Sequence, residues 1–458
     1  MYKWRNPKCN NGILPPGSMG FPLIGETLQL LIPSYSLDLH PFIKKRIQRY
    51  GPVFRTNLVG RPVIVSADPE VNHFILQQEG KSVEFWYLDA FSKLLGLEGE
   101  SRISAAGRVH SYARGIALSY FGYESLKEKL LPQIEEMVTK TLHTWSSHTS
   151  IEVKHAASAM VFNFTARQMF SYDYENSSEK ICEKFTNFLG CFLSFPLNIP
   201  GTTYHKCLKD QKEIVKMMKD MVKERRASPA AETRQGDLLD HVINDMNTEK
   251  FLTEDFIVHM MLALLFASFE TTSVVLTLAF KLLAEHPSVL QELTAEHEAI
   301  LKNRKNMDSS LTWDEYKSMT FTLQVTNELL RLGNIAPGLF RRALKDIQVN
   351  GYTIPAGWII MVVSSALQLN PNTFEDPLAF NPWRWKDLDS NIISKNFMPF
   401  GGGMRQCVGA DYSKVFMATF FHVLVTKFRW TKIRGGDVYR NPIIGFGDGI
   451  HIKVAGKA

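Results

Sequence analysis

A mainly α-helical chain forming one large unit is what the sequence predicts, on three observations. Residues Asp255 to Glu285 form a single long apolar run of helical length. Between Ala410 and Phe428, the residues Val415, Phe416, Ala418, Thr419, Phe421, His422 and Leu424 recur at roughly helical spacing, which predicts a second helix. No Pro/Gly/Ser linker, repeat or low-complexity tract divides the chain after residue 25, although its 458 residues would suggest about three domains from length alone. At 45% hydrophobic and 21% charged, the composition is that of a folded globular protein and excludes the disordered and fibrous classes.

Taken from the amino terminus, residues 1–25 read as a basic and proline-rich hinge ahead of one unit spanning 26–458. Residues 1–10 are short, polar and basic (Lys3, Arg5, Lys8), and no apolar run of roughly 20 residues accompanies them, so no spanning helix is expected at this end. Leu14-Pro15-Pro16-Gly17-Ser18-Met19-Gly20-Phe21-Pro22 follows as a stiff segment. Five cysteines (Cys9, Cys182, Cys191, Cys207, Cys407) lie scattered without paired or metal-finger spacing, so a disulfide framework is not expected and a reducing compartment is. The net charge of +6 is modest for this length and no aromatic-studded basic stripe is present, which argues against nucleic acid as a partner. The run from Phe185 to Pro200 is unusually apolar for a connection between helices; it suits either ordinary packing or a loop that dips into a bilayer.

The 255–285 helix is interrupted by Ala267-Ser268-Phe269-Glu270-Thr271-Thr272-Ser273. An acid beside a hydroxyl inside a buried helix is costly unless partnered, so such a patch implies a task. A solvated helix face is the alternative, weakened by the apolar residues on either side, Leu262 to Phe266 and Val274 to Leu278. Downstream, Glu328-Leu329-Leu330-Arg331 places an acid and a base at i,i+3, a pairing that by itself is most simply a surface bridge. Phe380-Asn381-Pro382-Trp383-Arg384-Trp385 follows it.

The most informative segment is Phe400-Gly401-Gly402-Gly403-Met404-Arg405-Gln406-Cys407-Val408-Gly409-Ala410. Glycines without Cβ atoms let the backbone fold tightly beneath a planar group. Cys407 falls near the expected start of the 410–428 helix, where unpaired N–H groups and the positive dipole end favour a thiolate, and a thiolate is a metal ligand. A lone cysteine is otherwise a small buried hydrophobe. A phosphate-binding cysteine loop fails because Val408, Gly409, Ala410, Asp411, Tyr412 and Ser413 offer no arginine after the sulfur.

Phe400, Gly403, Arg405, Cys407 and Gly409 satisfy Phe-x-x-Gly-x-Arg-x-Cys-x-Gly, which resembles the haem-binding loop of the cytochrome P-450 monooxygenases. The resemblance runs from about residue 14 to the end and is nearest to plant microsomal members that act on sterols and triterpenoids. It implies a mainly α fold with a smaller β region, haem b (iron protoporphyrin IX) ligated by Cys407, and residues 26–458 as the catalytic domain. It implies proton delivery during oxygen activation by Thr271 and Glu270, with Ser268 standing where the family usually has glycine. Glu328, Arg331 and Arg384 would form a structural cluster. Binding of the haem propionates is expected from Arg405, from His110 and Arg114 at i,i+4 on an expected helix, and from Arg341, although each could equally be a surface cation. Ala267, Ala336, Pro337, Leu339 and Phe446 are expected to line an apolar pocket. With no nicotinamide or flavin motif present, electrons would come from an NADPH-dependent reductase docking on Lys395, Arg405, Lys414, Lys427 and Arg429. The resemblance further implies the cytoplasmic face of the endoplasmic reticulum membrane, with the anchor missing from this chain, and a sterol substrate, with side-chain cleavage to pregnenolone as a specific option. Two other readings stand beside this one: a reductase-independent haem-thiolate isomerase or lyase, in which the acid and threonine would be expendable, and a non-catalytic haem or sterol carrier.

Overall fold

The computed structural model describes residues 7, 9, 12–87, 92, 107–172, 181–185, 198–227, 236–304, 306 and 309–457. Its principal helices are α1 (Pro41–Tyr50), α2 (Pro69–Gln77), α3 (Arg108–Phe121), α4 (Leu131–Ser146), α5 (Val153–Phe170), α6 (Thr203–Ala227), α7 (Leu238–Asp245), α8 (Glu254–Glu285), α9 (Pro287–Asn303), α10 (Thr320–Gly333) and α11 (Ala410–Lys427). Local chemistry sets several starts. Asp68 accepts hydrogen bonds from the Glu70 and Val71 amides at the head of α2, with proline in its first turn, and Thr253 caps α8 by accepting from Phe256 N.

Both helices expected from periodicity are present, as α8 and α11. α8 is long and apolar enough to cross a membrane, yet 67% of its most apolar stretch is buried inside the protein, so it serves as a core helix. It packs along α5 and against α6, α9 and α10. Phe162 on α5, Phe185 and Phe269 on α8 meet there, edge to face or tilted, at 5.3–6.2 Å between ring centroids.

Among the described residues, the smaller β region holds twelve strands: β1 (Val53–Leu58), β2 (Arg61–Ser66), β3 (Val83–Phe85), β4 (Ile151–Glu152), β5 (Leu339–Ala343), β6 (Ile347–Val349), β7 (Tyr352–Ile354), β8 (Ile359–Val362), β9 (Phe428–Gly435), β10 (Val438–Asn441), β11 (Ile443–Phe446) and β12 (Ile450–Gly456). The main sheet runs β1-β2-β8-β5-β3, with β2 and β8 parallel and the other pairs antiparallel. β8 lies at its centre, and its Ile-Ile-Met-Val run is buried throughout, as expected of a strand covered on both faces. A second sheet orders β4-β12-β9, and two hairpins complete the set.

The proline-rich segment is pinned to β1: Arg55 N donates to Pro16 O at 2.8 Å, Glu26 N donates to Asn57 O at 2.8 Å, and Met19 is buried. One cysteine departs from the expectation of no disulfide framework: Cys207 is disulfide-bonded, whereas Cys9 and Cys407 are free. Spacing along a chain does not reveal which thiols the fold brings together. Most of the apolar Phe185–Pro200 run lies outside the described residues; Phe185 is buried and Ile199 is exposed.

Candidate active site

Between the sheet and α11, the chain from Phe400 to Gly409 makes a tight loop containing a short 3₁₀ turn, Gly403–Arg405. Gly401 and Gly403 adopt φ of +69° and +67°, and a Cβ on Gly403 would stand 2.2 Å from Leu76 O, so only glycine lets the loop pass this close to α2. Cys407 N donates to Phe400 O at 2.9 Å, and Gly409 caps α11 two residues later. The Cys407 residue is exposed, with the Gly409 amide near its sulfur. In the protein alone, burial by surrounding atoms pushes this thiol above its usual range, opposed by the Gly409 N–H and the Arg114 charge. Removal of the anion from water opposes ionisation, the Gly409 N–H and Arg114 favour it, and coordination to a cation would favour the thiolate further.

Beside the loop lies a cluster of cations. Arg405 Nε donates to Glu79 Oε1 at 3.1 Å, and Arg341 Nε is ion-paired with Glu79 Oε2 at 2.8 Å. Phe85 N donates to Glu79 Oε1 at 3.0 Å, and the Phe85 ring lies 5.0 Å from the Arg405 guanidinium and 5.9 Å from that of Arg341. Burial pulls both guanidinium groups below the usual arginine range, and Glu79 opposes it. Tyr87 is half-buried within the field of Arg341, Arg405 and Cys407. His110 joins the same set. Burial, then the charges of Arg405 and Arg114, lower its pKa to about 4, so it is neutral near pH 7 and can offer a donor but not a cation. Arg114 donates from Nη1 to Gln406 O at 2.6 Å and so also holds the loop itself.

On α8, Ala267 and Thr271 are exposed and Ala263 is half-buried, one turn apart along one face of an otherwise buried helix. Thr271 Oγ1 donates to Ala267 O at 2.9 Å, and Ser268 Oγ donates to Leu265 O at 2.8 Å, so the serine in the usual glycine position is satisfied within its own helix. Glu270 takes a different direction: it is buried, with Lys154 of α5 at 2.8 Å. Neighbouring helix residues point about 100° apart, so the acid and the hydroxyl do not share a face.

Residues 15–444 match the sequence profile of the family described as Cytochrome P450. The chain is a cytochrome P450. Relatives of this P450 include a beta-amyrin 16-alpha-hydroxylase of Maesa lanceolata, 55% identical and aligned over 100% of this chain and 96% of that protein. A cucurbitadienol 11-hydroxylase of Siraitia grosvenorii is 54% identical over 99% of this chain and 95% of that one. A solved structure of similar fold is a retinoic-acid-bound cyanobacterial P450, with a TM-score of 0.84, 26% identity, and coverage of 98% of this chain and 100% of that one.

As a P450 monooxygenase the chain uses haem b and electrons from an NADPH-dependent reductase, and its residues fit that cofactor. A free, exposed cysteine stands on a glycine loop that is closed to side chains, and two arginines that share a single carboxylate retain net positive charge beside it. The open face of α8 is lined by small residues. When bound, haem supplies the oxygen activation and hydrogen abstraction that amino acids cannot.

The remaining expected site residues divide. Glu328 and Arg331 on α10 are both fully buried and paired at 2.8 Å, so this is not the surface bridge that i,i+3 spacing alone suggests. Arg384 Nε and Trp385 Nε1 donate to the same carboxylate at 3.1 and 3.0 Å, and Arg331 also donates to Gln368 O and Pro377 O. Leu339 is half-buried, with its Cδ1 beside Gly401, and Ala336 is exposed. Pro337 lines a small cavity of about 20 Å³ with His40, Met361 and Arg440. Phe446 is buried with the main core on β11. Sequence reasoning missed Glu79, Phe85, Tyr87 and Lys154. No local pattern marks Glu79, whose partner Arg405 is 326 positions away.

Proposed function

We propose that this P450 hydroxylates the carbon skeleton of a triterpenoid or sterol at the membrane surface. The observation that carries the reading is the pair of relatives above 50% identity over nearly the whole chain, both with names that print hydroxylation of a triterpenoid. A cholesterol 16,22-dihydroxylase of Trigonella foenum-graecum, at 37% identity, lies further off, which moves the preference from the sterol expected on sequence to a triterpenoid. Cys407 would hold the iron, while Arg405, Arg341 and His110 would take the propionates as charge-assisted and neutral donors. Thr271, with its hydroxyl on the open face of α8, would pass protons during oxygen activation. Glu270, tied to Lys154, would have to act through rearrangement or water rather than directly.

Exposed apolar side chains support the membrane part of the reading. Phe21 (70% exposed), Leu23 (83%), Ile24, Leu28, Ile32, Tyr35 and Val59 all belong to the proline-rich segment, the stretch that follows it and the β1–β2 turn. Such a face suits the cytoplasmic surface of the endoplasmic reticulum. Lys395, Lys427 and Arg429 are exposed and Lys414 is half-buried, leaving a basic face for an acidic flavoprotein; Arg405, turned to Glu79, is not part of it.

Purified protein with reductase and NADPH, offered a panel of triterpenoids and sterols, tests the reaction by product mass. A gain of one oxygen without loss of carbon is expected. Loss of the side chain would replace hydroxylation by cleavage, and turnover without reductase would overturn the monooxygenase reading for this substrate class. For the membrane face, Phe21→Asp together with Leu23→Asp is expected to reduce co-flotation with phospholipid vesicles while leaving haem content unchanged; unchanged flotation would remove that face from the reading.

A further inference from the structure

We propose that Glu79 is a positioning residue of the haem-propionate site, its one buried carboxylate binding Arg341 and Arg405 into a single paired set that faces the cofactor. The inference rests on reading those two arginines as the propionate partners. Three observations carry it. Glu79 is 3% exposed and lies 2.8 Å from Arg341 and 3.1 Å from Arg405, which come from β5 and from the cysteine loop. Its carboxylate is itself held by the Phe85 amide, and the Phe85 ring underlies both guanidinium groups. Among the charges bearing on the two arginines, Glu79 is the carboxylate and the arginines repel each other, so without it two buried like charges would separate. Two cations around one anion retain net positive charge, which is what an incoming carboxylate requires. A residue that orients the groups holding a cofactor commonly matters nearly as much as those groups.

The test uses the full chain in the haem-loaded form. Haem loss to excess apomyoglobin is measured for Glu79→Gln, Arg341→Ala, Arg405→Ala and the Glu79→Gln/Arg405→Ala double variant, alongside the haem midpoint potential. Glu79→Gln is expected to speed haem loss by about tenfold or more and to add nothing once Arg405 is removed. Its midpoint should rise, because one fewer buried anion favours the reduced and more negative haem. Wild-type haem loss in Glu79→Gln with fast loss in either arginine variant would overturn the proposal and leave the propionate reading intact. Unchanged loss in all three single variants would overturn both. Additive effects in the double variant, or an unmoved midpoint, would reduce Glu79 to a structural staple. Should Glu79→Gln fail to fold, Glu79→Asp decides: its shortened carboxylate cannot reach both arginines, so faster haem loss at an unchanged midpoint is expected, and wild-type loss would overturn the proposal.

Discussion

At the scale of single residues, the proposed chemistry is divided between two segments, with Cys407 on one and Thr271 on the other. Coordination to iron would favour the anionic form of the Cys407 sulfur. Cys407→Ser is expected to abolish the reduced-carbonyl absorbance of a thiolate-ligated haem, checked by difference spectroscopy; an unchanged spectrum would contradict the ligand assignment. Thr271 bears its hydroxyl on an exposed face of α8 and uses its proton on Ala267 O. In Thr271→Ala, NADPH and oxygen consumption should continue while product per NADPH falls by about tenfold or more, as expected when a positioned proton donor is lost; measuring product against NADPH consumed checks this. Both residues were legible in the sequence because each sits in a local pattern, a glycine loop or a polar break in an apolar helix. The direction of Glu270 was not, since a helix period alone cannot say what stands opposite each face.

At the scale of elements, the buried Glu328–Arg331 pair joins α10 to the segment running from Pro377 to Trp385. One carboxylate receives Arg331, Arg384, Trp385 and the Asn381 amide, so its charge is neutralised and its lone pairs are used. Removing one partner leaves the others buried and unpaired. Glu328→Gln is therefore expected to cost about 3–5 kcal/mol, read as a lower unfolding midpoint and a lower yield of haem-loaded protein. The sequence marked the i,i+3 pair and its arginine partner through the resemblance alone. Spacing by itself favoured a surface bridge, because burial is a property of what packs over a helix and is absent from the helix's own residues.

At the scale of the whole molecule, α9, α10 and α11 enclose a polar chain that no motif announces. His422 Nδ1 lies 3.1 Å from His297 Nδ1, and His297 Nε2 lies 2.9 Å from Thr322 Oγ1, with both rings buried. Burial lowers the His422 pKa to about 3 and takes His297 well below its ordinary value, so both are neutral in the fold. The unfolded chain binds protons at these rings below about pH 6.5 while the folded one does not. Stability is therefore full above that pH and declines as pH falls toward 3 for His422, by up to about 1.4 kcal/mol per unit per histidine. Unfolding midpoints measured between neutral pH and mild acid should fall more steeply in the parent than in His422→Gln, and equal slopes would exclude this origin.

By itself the sequence determined the haem loop, the two long helices and the family, because backbone freedom, periodicity and motif spacing are carried by contiguous residues. Only the tertiary structure decided that Glu79 faces Arg341 and Arg405 and that Glu270 pairs with Lys154. Those outcomes depend on distances through space and on the exclusion of water around each charge, and Coulomb energy and desolvation respond to these whatever the separation along the chain.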